Sequence, residues 1–533
     1  MDSELLQKLR SPDTFPGTSP TDRVDIIQTH LSVVCLVGQR VYKLRKPIEL
    51  PFVDFRDPQV REHDCREELR LNRRLCPEVY LEVAPLRRSG DSIHFGGAGE
   101  TIDHAVVMVR LPEDRMLDRL LAGGTVAIRE IQALADRMAA FHRGHDIRPE
   151  AGEPGHPEQL AEFLLANFDE TDHEAGHLFD PALHRILRQR AERDLKVLLP
   201  RLLDRIRSGH CVDGHGDLHA RNICLIDPPA IYDCLEFSAS LRCGDTATEN
   251  AFLCMDLRER GHPDLAEAYL RRYIARSGDE AQRDLLPPLI QYRAMVRSKV
   301  AAIASRDAGL GLEDQRRQAS EAQAYLHLCA TVAVEDDGPL HLLACGLPAS
   351  GKSFVFEHLA ARTRWLHLST DSIRKEVFQV PEGVPAPAEA YTRDGLRRIY
   401  LEMIRRAAEH TRRTGGSVLL DATFQRQEER DFAIQSAREL GAEPRILHVE
   451  IEEQEARRRL AARDASSLSD AREDVYEQMK ASFERPANDG TVLRLDGATP
   501  IDQVLDWVFV QLLERRSPGR PRPVTAAGPK RQQ

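Results

Sequence analysis

The chain has 533 residues, 41% of them hydrophobic, and a formal net charge of −11. That length supports two or three cored domains and is too great for one. Basic residues spread along an acidic chain argue against a nucleic-acid phosphate stripe, and no stretch approaches about 18 uninterrupted apolar residues, so neither nucleic acid nor membrane is an expected partner.

The chain opens Met-Asp-Ser-Glu-Leu-Leu-Gln-Lys, with no basic-then-apolar leader, and reads as cytoplasmic, with small-molecule substrates as its partners. Ten cysteines lie singly, without a Cys-x-x-Cys pair, and read as buried thiols. Only nine of the 74 basic residues are lysines, so a lysine here marks a place where a compact ammonium is wanted.

In chain order, alternating strand-like segments come first: His30 to Leu36, a turn at Val37-Gly38, then Arg40 to Leu44. Lys43 sits on the second strand of this hairpin. Arg61 to Arg74 follows as a helix, from which Glu68 or Glu67 can hold a strand lysine that grips nucleotide phosphates, with Lys46 as the fallback for Lys43. From Val126 onward helical patterns dominate. His173-Glu174-Ala175-Gly176-His177 matches a zinc-protease pattern, but Gly176 inside it and Pro181 after it argue against the helix that such a site needs.

His215-Gly216-Asp217-Leu218-His219-Ala220-Arg221-Asn222 holds Asp217 and Asn222 with four residues between them, the spacing of the catalytic loop in protein-kinase-like enzymes. Asp217 meets an acceptor hydroxyl and Asn222 binds Mg²⁺. A short strand at Ala230 to Tyr232 then ends at Asp233, the second metal ligand. Glu236 either assists the metal or pairs with an arginine such as Arg242, and Asp245 either braces the loop or caps a helix. No glycine-rich loop precedes Lys43: the hairpin offers Gly38 alone.

Helical periodicity runs from about Asp284 to Leu328, and Thr331 to Pro339 breaks it with acidic residues and Gly-Pro punctuation. The domain reading is therefore 1–330, a linker at 331–339, a second domain at 340–515 and a disordered tail at 516–533. In the second domain apolar runs at Leu340 to Cys345, Trp365 to Leu368, Ser417 to Leu420, Arg445 to Ile451 and Thr491 to Leu495 alternate with helical patterns, which implies a parallel sheet covered on both faces.

Gly346-Leu347-Pro348-Ala349-Ser350-Gly351-Lys352-Ser353 lies between the first of these strands and a helix, the context of a phosphate-binding loop for ATP. Its glycines let backbone N–H groups turn on the phosphates, Lys352 reaches the β- and γ-phosphates, and Ser353 ligates Mg²⁺. Asp371, after the next strand, is either a base for an acceptor hydroxyl or a helix N-cap. Asp421 ends the following strand, where a phosphate-loop enzyme orders Mg²⁺ or its water. Arg459 and Arg463, one turn apart on a helix, either close over the γ-phosphate or form a solvated face.

The segments Gly346 to Ser353, Ser369 to Lys375, Val418 to Phe424 and the Arg459/Arg463 pair resemble small P-loop kinases of the zeta-toxin, gluconate-kinase and adenylate-kinase-like type. That resemblance implies phosphoryl transfer to a hydroxyl with Asp371 and Arg374 facing the acceptor. The loop at His215 with Asp233 resembles the aminoglycoside phosphotransferase branch of the kinase-like fold. Together with Val41 to Pro47, Glu67 to Leu75 and Asp233 to Phe237, they resemble a bacterial two-domain family in which an aminoglycoside-phosphotransferase-like domain is fused to a P-loop kinase-like domain. The implied fold is an α+β protein-kinase-like domain followed by an α/β P-loop domain with a parallel sheet.

The resulting expectation is a bifunctional ATP- and Mg²⁺-dependent phosphotransferase. Two rivals stand beside it: a single P-loop kinase regulated by a non-catalytic kinase-like domain, and an NTP-hydrolysing switch, against which the acceptor-side Asp371 argues.

Overall fold

Val and Leu recurring between Ser32 and Arg45, with Gly38 at the tip, favour a hairpin as the local structure. Ser32–Val37 and Arg40–Arg45 pair antiparallel across a two-residue turn in which Gly38 has φ +55°. The computed structural model describes residues 3–29, 31–50, 53–307, 309–381, 384–462, 473–488 and 490–515. The chain folds as two compact units, one of Met1–Ala166 with Glu192–Arg293, the other of Asn167–Ala191 with Ala294–Gln533. The expected tail at 516–533 lies outside the described residues.

In the first unit the hairpin belongs to a six-stranded antiparallel sheet in the order Val24–Gln28, Ser32–Val37, Arg40–Arg45, Glu100–Val109, Tyr80–Ser89, Ser92–Phe95. One face is sealed by Phe15, Tyr42 and Phe95, whose ring centroids lie 4.7–5.5 Å apart. The helix Pro58–Asn72 packs on this sheet. Asp57 caps it by accepting from the Gln59 N–H, and Pro58 fills its first turn, where no donor is lost. Helices follow, and between them four short strands present the loops that matter: Cys211–Asp213 pairs with Cys243–Asp245, and Ile223–Cys224 with Ala230–Ile231.

The second unit carries a five-stranded, fully parallel sheet in the order Leu366–Ser369, Val418–Asp421, Leu340–Cys345, Glu443–Glu450, Val492–Asp496. The central strand Leu340–Cys345 is buried at every position, as a strand covered on both faces must be. Leu343, Leu420 and Ile446 pack with Ile399, Met403 and Ala407 of the helix Arg393–Thr414. The helices Lys352–Thr363, Leu312–Asp336 and Ile501–Arg515 pack with one another.

The single helical run expected from Asp284 to Leu328 is two helices, Gln282–Ala304 and Leu312–Asp336. The second continues through most of the segment read as a linker. Its last turns are held by Trp365 Nε1, which donates to Glu335 at 3.0 Å, and by Arg190, which pairs with Asp336 and Asp337 at 2.9 Å. Acidic residues that look like punctuation are thus partnered, and the chain leaves the helix only at Gly338, φ +112°. Among the described residues no helix is long and apolar enough to cross a membrane.

Two residues of one helix separate burial from propensity. Met403→Ala, at a fully buried position, is expected to cost about 2–5 kcal/mol of stability. Leu401→Ala, 45% exposed, is expected to stay within about 0.5 kcal/mol of the wild type, both read from denaturant midpoints.

Candidate active sites

Lys43 lies on the strand Arg40–Arg45, and its ammonium donates to Glu68 Oε1 at 2.9 Å and to Asp233 Oδ1 at 2.6 Å. Glu68 has no exposed side-chain surface, whereas Asp233 is 44% exposed, so Asp233 forms the open edge of the cluster. Burial alone would lower the lysine's pKa, but Asp233 and Glu68 outweigh it and raise it, so Lys43 is a fixed cation. The fallback Lys46 is half-buried and donates to the Thr29 carbonyl, and Glu67 is spent on Arg70.

A second cation completes the cluster. Arg45 donates to Glu68 Oε2 at 2.8 Å, to Asp64 at 2.5 Å and to Glu236. Glu236 therefore pairs with Arg45 and not with Arg242, which is bound to Asp213 at 2.6 Å. Four carboxylates (Asp64, Glu68, Asp233, Glu236) face two cations. Burial pushes the Glu236 and Asp64 carboxyls up against the pull of Arg45, and the excess of acid at Glu68 adds to that push. The carboxylate oxygens that Asp233 presents at the open edge fit a hard divalent cation. Among the described residues no three His, Cys, Asp or Glu side chains gather into a metal cage by themselves.

The loop at His215 presents Asp217 beside this cluster's chain partner Asn222. Asn222 Nδ2 donates to Asp217 Oδ2 at 3.0 Å and to the Asp217 carbonyl at 3.1 Å, and His219 Nε2 lies 3.2 Å from the same carboxylate. The brace for this loop is Glu249, not Asp245. Asp245 caps the helix Thr246–Glu259 and pairs with Arg205 at 2.7 Å. Glu249, one turn further on, accepts from the His215 and Gly216 backbone N–H groups and from His142 Nε2 at 2.7 Å. A Cβ on Gly214 would lie 2.7 Å from this carboxylate, so the close approach requires glycine. Asp256 adds a bond from the Ala220 N–H at 2.8 Å. Neither Glu249 nor Asp256 was singled out from sequence; an acidic residue on a helix just past a candidate loop is the signal that was present.

In the second unit Gly346 turns out of the central strand with φ +142°. A Cβ there would lie 2.4 Å from the Val449 carbonyl. Leu347, Pro348 and Ala349 carry the loop over, Ala349 itself at φ +64°, to Gly351 at φ +102°. Lys352 opens the helix and folds back to donate to the Leu347 carbonyl at 2.8 Å, with Ser353 exposed beside it. Ser350 Oγ is buried without a hydrogen-bond partner, an orphaned donor in a loop whose amides suit phosphate oxygens. Asp421 ends the neighbouring strand and is buried, with His367 Nε2 3.4 Å from it.

Asp371 is not a cap: Ser369 is, accepting from the Asp371 N–H at 3.2 Å. Asp371 instead receives Arg374 Nη1 at 2.5 Å, and Arg374 lies over the Tyr391 ring at 5.0 Å. Arg459 donates to Glu455 at 2.9 Å and to the Gly497 carbonyl at 3.1 Å, and its guanidinium is 3.5 Å from the place a Gly351 Cβ would take. Arg463 lies outside the described residues. The zinc-like motif forms a 3-10 turn at Asp172–Glu174, not an α-helix, with Glu174 bound to Arg306 and Gly176 at φ +90°.

A model of the phosphotransferase enzyme family matches residues 40–286, and a model of an AAA domain matches residues 342–486. Uncharacterized proteins of Mycobacterium tuberculosis and Mycobacterium bovis are 32% identical over 407 residues, covering 75% of this chain and 78% of theirs. The chain belongs to this two-domain phosphotransferase family. It is an ATP-dependent kinase with two kinase-type domains. Among solved structures, a gluconokinase from Sinorhizobium meliloti is 17% identical over 33% of this chain and 94% of its own, with a TM-score of 0.27. The APS kinase CysC of Mycobacterium tuberculosis, solved with AMPPNP and APS, is 19% identical over 33% of this chain and 98% of its own, with a TM-score of 0.26.

The brace is visible in acid. Burial raises the Glu249 carboxyl, but His142, His215 and the Gly216 amide outweigh that and hold it at about 2, below its ordinary value. A depressed carboxylate contributes stability in full above its unfolded pKa of about 4.3 and loses it as pH falls through its folded pKa. Glu249→Gln is therefore expected to be less stable than the wild type by about 3 kcal/mol between about pH 5 and 8. The gap should narrow below about pH 4, measured as thermal midpoints across pH.

Proposed function

We propose that this kinase is bifunctional, each domain moving the γ-phosphoryl group of ATP to a hydroxyl of a small molecule. The observation that carries the reading is the single lysine ammonium held by Glu68 and Asp233, residues 25 and 190 positions away in the chain. A structural lysine has no need of two carboxylates with one left open to solvent.

In the N-terminal domain Lys43 holds the α- and β-phosphates, and Glu68 keeps it aimed. Asn222, through its amide oxygen, and Asp233 hold Mg²⁺. Asp217 takes the proton from the acceptor hydroxyl as its oxygen bonds to the γ-phosphorus, while the bond to the ADP oxygen breaks and ADP leaves. Met108, buried on the strand Glu100–Val109 with Val41 and Cys224 near it, supports the adenine side.

In the C-terminal domain the amides of Gly346 to Gly351 and the ammonium of Lys352 bind the phosphates. Ser353 and Asp421 hold Mg²⁺. Asp371, positioned by Arg374, takes the acceptor proton, and Arg459 stabilises charge beside the loop. Mg²⁺, when bound in either domain, neutralises charge on the phosphates. Positioning and electrostatics supply most of the catalysis.

One observation favours a second reading, in which the N-terminal domain binds nucleotide and regulates the other without turnover. The strand Ser32–Val37 returns through Gly38 and Gln39 alone, leaving no long loop to cover the phosphates.

The two readings separate in one experiment. Both readings give two ATP sites per chain, but under the bifunctional reading Asp217→Asn lowers one phosphoryl-transfer activity by about 10²–10⁴-fold while Lys352→Ala removes the other. The screen is phosphate gain across a metabolite mixture. A single activity that survives Asp217→Asn unchanged supports the regulatory reading, and simultaneous loss of both activities in either variant overturns independent sites.

A further inference from the structure

The N-terminal unit contains a cavity separate from the ATP constellation. It encloses about 610 Å³, open mouth included, and neither Lys43, Asp217 nor Asp233 lines it. Its walls come from the helices Pro157–Asp169, Pro181–Arg207 and Gln282–Ala304 and from the segment leading into the helix Thr246–Glu259. Leu160, Phe163, Leu202 and Ile206 make one apolar side. An apolar wall facing convergent polar groups is what small-molecule sites share.

The charged groups on the lining divide into two kinds. Arg242 is bound to Asp213, Asp245 to Arg205, and Glu249 to His142 and the loop amides. Arg293 is different. It is 8% exposed, yet no carboxylate among the described residues pairs with it. Its Nε makes one long bond, 3.4 Å, to the Thr248 carbonyl. Its guanidinium lies 4.7 Å from the Phe252 ring centroid and 5.2 Å from that of Tyr292. Aromatic contacts hold such a cation without consuming its in-plane N–H donors. A buried guanidinium lacking a counter-charge is costly, and a carboxylate entering the cavity would remove that cost while its body covers the apolar wall.

We propose that this cavity is a binding site for a small organic acid, a single carboxylate on an apolar body, anchored by Arg293. The site abuts Glu249, the residue that braces the loop carrying Asp217.

Cys243 also lines the cavity, and it is the one cysteine of the ten that is not buried. Its reaction with N-ethylmaleimide, followed by peptide mass spectrometry on the full chain, therefore reports occupancy without any assay of activity. Benzoate is the probe, benzamide its uncharged counterpart, and inorganic phosphate an anion without the body. A probe of this size is expected to bind with a dissociation constant on the order of 1 mM. At about 10 mM, benzoate should slow labelling of Cys243 at least about threefold, with benzamide and phosphate leaving it unchanged. Arg293→Gln should abolish the protection while its unliganded labelling rate stays at the wild-type value. The proposal is overturned by wild-type labelling that benzoate does not slow, by equal protection from benzamide or phosphate, or by protection that persists in Arg293→Gln. The comparison of benzoate with benzamide uses only the wild-type chain, so a variant that folds poorly does not remove the test.

Discussion

Glu68 has no exposed side-chain surface, so its charge must be answered by protein groups, and Lys43 and Arg45 answer it from one strand. Each takes one carboxylate oxygen. The two cations in turn draw in Asp64, Asp233 and Glu236, which ties the hairpin, the helix Pro58–Asn72 and the segment after Ile231 into one network. Removing one member of a buried pair costs about 3–5 kcal/mol because the other is left unanswered. That penalty keeps the ammonium of Lys43 within a hydrogen bond of both Glu68 on the helix and Asp233, and so fixes its position.

The two domains meet the same ligand chemistry by different physical means. The first relies on side chains. Lys43, Glu249 and Asp233 come from distant positions, and each is oriented by another charged group. The second relies on backbone. Gly346 passes so close to the Val449 carbonyl that any side chain would collide, and Gly351 enters the helix Lys352–Thr363 with a left-handed conformation. The shape of this eight-residue turn is therefore set by its backbone, with Asp421 at the end of the neighbouring strand and Asp371 just past the end of the next.

The catalytic loop shows why bracing residues are hard to see. Glu249 receives two backbone N–H groups that point inward because Gly214 allows the chain to approach the carboxylate. Asp245 is the more conspicuous acid, four positions earlier, but it precedes the first helical turn, where an oxygen is best used to cap the helix. Glu249 points from the helix side toward the loop, and no local pattern distinguishes it from an ordinary helical glutamate.

The patterns that mark the candidate sites are legible in the sequence. The eight-residue phosphate loop, the Asp217–Asn222 spacing, the strand after it ending at Asp233, and the alternation of strands and helices beyond Leu340 are all short-range patterns, and short-range sterics set them. The choice among equivalent residues is not. Lys43 over Lys46, Glu68 over Glu67, Glu249 over Asp245, and the pairing of Glu236 with Arg45 each depend on which side chain is buried beside which charge. Burial and pairing are properties of residues brought together from 25 to 190 positions apart, and only the tertiary fold decides those neighbours.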